Sequence, residues 1–305
     1  MKVRRFKKRF YRFLESILKK IILFFKKTKN QNLSRSALSA IYRTAKNERY
    51  LLKNNTNEVL IVHTNELISE KIFIDGSFEF LAFERTIAII KKFNKLNTLV
   101  DIGANIGTTS IPALTRGFFK NAIVIEPEIK NFRILMSNIY LNNLEKRITA
   151  HNLALTDKEN SLLYLEIFKE GNNGKHKISK ENLTNKKFDS ENIQKAKGNT
   201  LDKIAPNITK EDSLIWMDVE GYEGIILKGA NSTIAKKIPL VVEFDPVMMS
   251  EYHSFNHFKL LFPHYSVFYD LSHKTTSPIK LCEETLKENY DKLLASNSHT
   301  DLLFI

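Results

Sequence analysis

From residue 98 onward, short apolar runs alternate with stretches in which apolar residues recur every three or four positions. The runs Thr98–Ile102, Ala122–Glu126, Ile148–Leu153, Leu214–Asp218, Leu240–Phe244, Tyr265–Tyr269 and Leu302–Ile305 predict strands. The segments Ile106–Arg116, Ile129–Asn142 and Tyr222–Ala235, and the stretch around Glu283–Leu294, predict helices. Such alternation predicts an α/β fold with a mostly parallel seven-stranded sheet and helices on both faces. Leu240–Val242 has no polar alternation, which fits a strand buried on both sides. In such a sheet a ligand sits at the carboxyl ends of the strands, near the point where strand order reverses.

The earlier part of the chain is less regular. Residues 33–57 are polar and mostly helical in pattern. Val59–His63 and Lys71–Ile74 read as short strands, Asp75–Gly76 as a turn and Phe78–Phe93 as a helix. Residues 169–199 are rich in Lys, Asn and Gly and break the rhythm, which predicts a lid or a disordered insertion. The pattern divides the chain into an arm at 1–31, an accessory segment at 32–75 and a main domain at 76–305.

In the arm, Phe6, Phe10, Phe13, Leu14, Ile17, Ile21, Phe24 and Phe25 trace one face of an amphipathic helix, with Arg and Lys on the other faces. Charge sharpens this reading. Of 47 Lys and Arg and 34 acids, twelve bases and one acid, Glu15, fall in residues 1–31. That leaves 35 bases against 33 acids, so the body is nearly neutral although the chain carries +13. A basic helix with an aromatic face predicts attachment to an anionic membrane surface. Packing on the body or on a second subunit is the plainer alternative. The near-neutral body argues against a nucleic-acid partner. No apolar run reaches the length of a membrane span. The single cysteine, Cys282, excludes a disulfide framework within the chain. A reducing cytoplasmic compartment is the expectation, with the inner membrane surface as the place of work.

Candidate chemistry begins at Asp101-Ile102-Gly103-Ala104-Asn105-Ile106-Gly107, which ends a strand and opens a helix. Gly103 and Gly107 remove side chains where the backbone must turn and approach a ligand. Helix N–H groups there favour a carboxylate, and Asp101 could accept from an ammonium group. The spacing G-x-x-x-G differs from the dinucleotide pattern, which lowers a nicotinamide-dependent oxidoreductase without excluding it. Glu126 ends the next strand, where ribose hydroxyls are bound in nucleotide-type folds. Asn152 and Asp157 follow the third strand and are candidates for the adenine edge, or turn residues only.

These motifs, followed by Leu201-Asp202, by Asp218-Val219-Glu220-Gly221-Tyr222-Glu223 and by Leu227-Lys228-Gly229-Ala230, resemble the FkbM-type methyltransferase family across about residues 76–245. Trp216-Met217 and the long 169–199 insertion depart from its pattern. The resemblance implies a class I Rossmann-like methyltransferase fold and methyl transfer from S-adenosylmethionine, usually to a hydroxyl of a sugar or natural product. The cofactor's methionine part carries the carboxylate and the ammonium that the first turn suits. Asp101, Gly103, Asn105, Gly107, Glu126, Asn152 and Asp157 are then the cofactor candidates.

Asp218, Glu220 and Glu243 are the catalytic candidates, because several carboxylates converging at strand ends can raise one pKa and create a base. The same groups could hold a divalent cation that acidifies the acceptor. Glu223 is either a partner in this cluster or a cap of its own helix. His253, His257 and His264 follow; His253 is an alternative base, and their spacing lacks a third ligand for zinc. A non-catalytic membrane module with a vestigial fold is the remaining alternative.

Overall fold

The computed structural model describes residues 35–305 apart from 37, 41, 43–49, 55–56, 65–66, 78–79, 93–94, 169–175, 180–191 and 273–276. The basic arm at 1–31 lies outside the described residues. After helical residues at 35–36, 38–40 and 42 come a hairpin, β1 (Tyr50–Asn54) and β2 (Val59–His63), and two helices, α1 (Leu67–Asp75) and α2 (Phe80–Ile90). Next come β3 (Thr98–Ile102), α3 (Ser110–Thr115), β4 (Asn121–Ile125), α4 (Ile129–Leu141) and β5 (Ile148–His151). Short strands β6 (Ala154–Leu155), β7 (Ser161–Glu166), β8 (Lys177–Ile178) and β9 (Ile193–Asn199) precede α5 (Leu201–Ile204) and β10 (Ser213–Met217). Then follow α6 (Glu223–Lys228), α7 (Asn231–Ala235), β11 (Leu240–Phe244), α8 (Pro246–Tyr252) and a 3-10 segment at Ser254–Leu261. The chain ends with β12 (Val267–Asp270), β13 (Ile279–Lys280), α9 (Glu283–Ser296) and β14 (Thr300–Phe304).

The main sheet has the order β13-β12-β14-β11-β10-β3-β4-β5. Pairing is parallel from β5 through β11, and β14 runs antiparallel to both of its neighbours. All seven expected strands are present; the two-residue edge strand β13 is the addition. Strand order reverses between β3 and β10, so their carboxyl ends frame a crevice. Alternation along the strands divides the core. Val100, Ile102, Ile215, Met217, Val242 and Phe244 pack with residues of α5 to α9. Leu99, Val124, Leu214, Trp216, Val241 and Leu303 face the other way and pack with α1 to α4.

Two elements before the sheet differ from expectation. Lys71–Ile74 belongs to helix α1, because Ile68, Ser69 and Ile72 share one helical face and Ser69 and Ile72 are buried. Residues 50–54 form a strand, paired in register with β2. The hairpin then docks on α4 through side-chain amides. Asn138 accepts from the Ile61 N–H at 2.6 Å and donates to the Ile61 and Ile106 carbonyls at 3.1 and 2.9 Å. Asn142, one helical turn on, accepts from the Val59 N–H at 2.9 Å and donates to the Val59 carbonyl at 2.7 Å. Two asparagines at i and i+4 thus present to β2 the donor and acceptor pairs that a neighbouring strand would supply. Glu58, buried beside the hairpin, pairs with Arg116 at 2.8 Å, and that guanidinium lies 4.3 Å from the Phe80 ring centroid. The accessory segment is thereby fixed over one sheet face.

The insertion is in part a second sheet, in the order β6-β9-β7-β8. It is tied to the body where Tyr252 donates to the Ile178 carbonyl at 2.6 Å and Lys177 pairs with Glu251 at 2.9 Å.

Candidate active site

A cavity of about 410 Å³ opens at the carboxyl ends of β3, β4, β10 and β11. Asp101, Gly103, Asn105, Glu126, Asp218, Glu220 and Glu243 line it. Gly103, at φ +86°, is required by the fold itself: a Cβ there would lie 1.8 Å from the Asp218 carbonyl oxygen. It lets the ends of β3 and β10 meet. Gly107, at φ +93°, does not line the cavity; its missing Cβ makes room for Ile111 and Leu135. Asn105 also holds a left-handed conformation, at φ +51°.

The turn is longer than expected. Helix α3 begins at Ser110, and the N–H groups of Gly103 and Ala104 donate to the Ile125 carbonyl, both at 3.0 Å. The Asn105 N–H donates to Glu126 at 2.9 Å. These donors bind the end of β4, so they are not a cradle for a ligand carboxylate. Thr108 and Thr109 line the cavity ahead of the helix. Asp101 is buried, and its Oδ2 has no hydrogen-bond partner among the described residues. Burial, with the Asp218 charge adding to it, pushes the Asp101 carboxyl up to about 7 against the opposing effect of Ser110. Glu126 accepts from the main-chain N–H of Asn105 and Glu128, and burial carries its carboxyl up to about 8. Each of its oxygens keeps a lone pair for a further donor.

Asn152 and Asp157 are not brought to the cavity. Asn152 is exposed and donates to the carbonyls of Glu126 and Pro127 at 2.9 and 3.1 Å, which holds the loop after β4. Asp157 pairs with Lys228 at 2.6 Å, and this pair holds its carboxyl below the usual range. That contact joins two motifs behind the site. A Cβ on Gly229 would lie 2.2 Å from the Thr156 carbonyl oxygen, and Asp202 caps α7 through the N–H groups of Ser232 and Thr233. The Leu-Lys-Gly-Ala and Thr-Asp motifs therefore form a structural joint.

The loop after β10 is held open by its own residues. Glu220 and Gly221 have φ +55° and +91°, and a Cβ on Gly221 would meet the Met248 backbone at 2.5 Å. Glu223, wholly buried, accepts from the N–H of Val219 at 3.2 Å and of Gly221 at 3.1 Å. Its second oxygen has no partner, and burial raises the carboxyl to about 8. Glu223 shapes the loop, and Asp245 caps α8 through the N–H of Val247 and Met248.

Strand register sets the remaining acids in a row. Met217 is opposite Val242, and Glu243 is opposite Asp301, so Asp218, Glu243 and Asp301 cross three neighbouring strands on one face. Glu243 is held well above the usual carboxylate range by burial and by the acids around it, and it donates to Asp218. Burial raises Asp218 as well, with His299 opposing.

His299 and Asp301 line the cavity and were not among the sequence candidates. Their signal is the polar pair two residues apart at the mouth of the last strand, which shares a face with Glu243 only once antiparallel pairing is known. His253, the alternative base, is exposed at the left-handed end of α8, away from the cavity. Lys71 of the accessory segment, Phe80 and Phe83 of α2, and His176 of the insertion complete the walls. Among the described residues no three His, Cys, Asp or Glu are grouped to hold a metal ion.

The residues present fit S-adenosylmethionine. The partnerless buried oxygen of Asp101 suits the ammonium, Glu126 suits the ribose hydroxyls, and Ile125, Leu155 and Val219 supply apolar lining. A sequence model of the FkbM methyltransferase domain matches residues 101–266. No curated protein matches the chain. Among solved structures, a methyltransferase FkbM from Methylobacillus flagellatus KT is 21% identical, over 70% of this chain and 44% of its own, with a TM-score of 0.41. This chain thus spans less than half of that protein. M. jannaschii TYW2 in complex with AdoMet is 12% identical over 84% and 85%, with a TM-score of 0.39. The StiE O-MT, residues 961–1257, is 12% identical over 73% and 72%, also with a TM-score of 0.39. The matched segment contains the β3 turn, Glu126 and the β10 and β11 acids, and the chain belongs to the FkbM methyltransferase family as an S-adenosylmethionine-dependent methyltransferase.

Proposed function

We propose that the acceptor is a hydroxyl of a saccharide, glycolipid or natural product, methylated on oxygen, and that residues 1–31 bring the enzyme to an anionic membrane surface. The observation that carries the acceptor class is the far half of the cavity. There the row Asp218, Glu243, Asp301 stands beside the aromatic wall of Phe80, Phe83 and Trp216, the last two with ring centroids 5.6 Å apart. Carboxylates accept hydrogen bonds from hydroxyls, and flat aromatic faces suit the carbon side of a sugar ring.

Bound S-adenosylmethionine supplies an electrophilic methyl group on a sulfonium. The chain's own residues do the rest. Asp101 and Glu126 anchor the donor. The row of acids orients the acceptor oxygen, and the covering α1, α2 and second sheet exclude water. The acids at the ends of β10 and β11 supply negative charge beside the acceptor oxygen, which favours loss of its proton.

Labelled methyl transfer to fractionated glycans and lipids of the source cell tests the acceptor class. The expected product keeps its label in mild alkali, as an ether does. Release of the label as a carboxyl ester, or its appearance on nitrogen, overturns the reading. Co-sedimentation with anionic vesicles tests the arm: equal binding with and without residues 1–31 rejects it. Among the described residues no helix is long and apolar enough to cross a membrane.

A further inference from the structure

We propose that His299 is the catalytic residue that takes the acceptor's hydroxyl proton, with the Asp218–Glu243 pair as its counter-charge. This rests on the hydroxyl reading above. His299 lies outside the matched residues 101–266, so the family match assigns it nothing.

The geometry comes from the sheet. β14 returns antiparallel beside β11, which puts Phe244 opposite Thr300 and Glu243 opposite Asp301. His299 precedes Thr300 by one residue and shares a face with Asp301, two positions away. That face is the one carrying Asp218 and Glu243, and all four residues line the cavity. The charged and titratable groups that line the cavity with His299 are Asp101 on β3, Glu126 after β4, His176 of the insertion, Asp218 and Glu220 after β10, Glu243 and Asp245 on and after β11, Asp301 on its own strand and Lys71 on α1. His299 and Asp218 interact as opposite charges, and Glu243 donates its proton to Asp218. Burial raises both carboxyls, and Asp218 is the acid whose charge acts on His299. An imidazole and a carboxyl on one cavity wall can act as base and counter-charge in acid–base catalysis.

In the reaction, the acceptor O–H proton passes to the free imidazole nitrogen of His299 as the O–CH3 bond forms and the S–CH3 bond breaks. The electron pair of the broken bond stays on sulfur. Asp218 balances the charge gained by the imidazole, and the proton then leaves to solvent.

The test uses the full chain, labelled S-adenosylmethionine and the glycan or lipid fraction that accepts the methyl group. His299→Gln is expected to lower kcat about 100-fold or more, the usual contribution of a general base. Cofactor affinity by calorimetry is expected to stay within about threefold, since the anchor residues are untouched. The rise of kcat on the acid side of the pH profile is expected to vanish. His299→Ala is the second variant, and added imidazole is expected to restore part of its turnover. Retention of the acid-side rise in His299→Gln, at whatever rate, overturns the proposal. So does turnover near that of the parent, or an inactive pair of variants that imidazole does not rescue. A product that is not an ether overturns the acceptor reading instead, and the two failures are thereby told apart.

Discussion

Asp101 is a carboxyl placed where it cannot ionise cheaply until a cation arrives. It sits at about 7 in the free protein, and in the proposed reading the ammonium of the cofactor favours its ionised form. Cofactor affinity is therefore expected to weaken as pH falls from 8 to 6, with proton release on binding. Calorimetry in two buffers of different ionisation enthalpy reads that release directly. Asp101→Asn is expected to abolish the release and weaken binding about tenfold or more, from the ~1.5–3 kcal/mol of a hydrogen bond to a charged group. Glu223 makes a contrasting case. Its Oε1 holds the N–H groups of Val219 and Gly221, so Glu223→Ala frees two buried donors and is expected to cost about 2–4 kcal/mol in chemical denaturation. Glu223→Gln keeps the accepting oxygen and is expected to cost far less. Acids at strand ends were legible in the sequence because each is the first polar position after an apolar run. Their division of labour was not. Glu223 and Asp157 read as site candidates, and only packing shows one tying a loop and the other paired with Lys228.

At the scale of elements, the long apolar strands were readable because they are buried on both faces and need no partner to be recognised. The segment Lys71–Ile74 misled because Ile-Phe-Ile suits a strand, while burial of Ser69 and Ile72 at helical spacing decided the matter. Gly103 reads as a ligand-approach glycine, yet its constraint is the Asp218 carbonyl, a contact more than a hundred residues away that no local pattern announces. The docking of β2 on α4 is equally invisible in sequence, since Asn138 and Asn142 look like ordinary polar positions of an amphipathic helix. Asn138→Ala would strand the Ile61 N–H and the carbonyls of Ile61 and Ile106. It is expected to destabilise by about 3 kcal/mol, at about 1–3 kcal/mol for each buried group left unsatisfied in part. Urea denaturation at fixed pH measures it, and a change below about 0.5 kcal/mol would mean that water replaces the amide.

For the whole molecule, burial raises five carboxyls in the folded state: Asp101 to about 7, Glu126 and Glu223 to about 8, and Asp218 and Glu243 as well. Their unfolded values lie near 4. The folded state holds these protons longer, so this contribution to stability is complete below the unfolded values and lost as pH rises through 7 to 8. Thermal unfolding of the free protein is expected to come at lower temperature at pH 8 than at pH 5.5. Saturating S-adenosylmethionine is expected to narrow the gap, because a cation beside Asp101 removes the cost of ionising it. The molecule also divides its labour along the chain. The matched residues 101–266 supply most of the cavity wall, while Lys71, Phe80, Phe83, His299 and Asp301, on the acceptor side in the proposed reading, come from segments that flank them.

The amide joint between β2 and α4 has a consequence for how such an enzyme can diversify. Asn138 and Asn142 grip peptide groups and read no side chain of the hairpin. The amide grip therefore tolerates changes of hairpin sequence, and the limits on such changes are set by the buried side chains of Glu58, Leu60 and Val62. Exposed positions of the hairpin can vary while the helix that receives it stays the same.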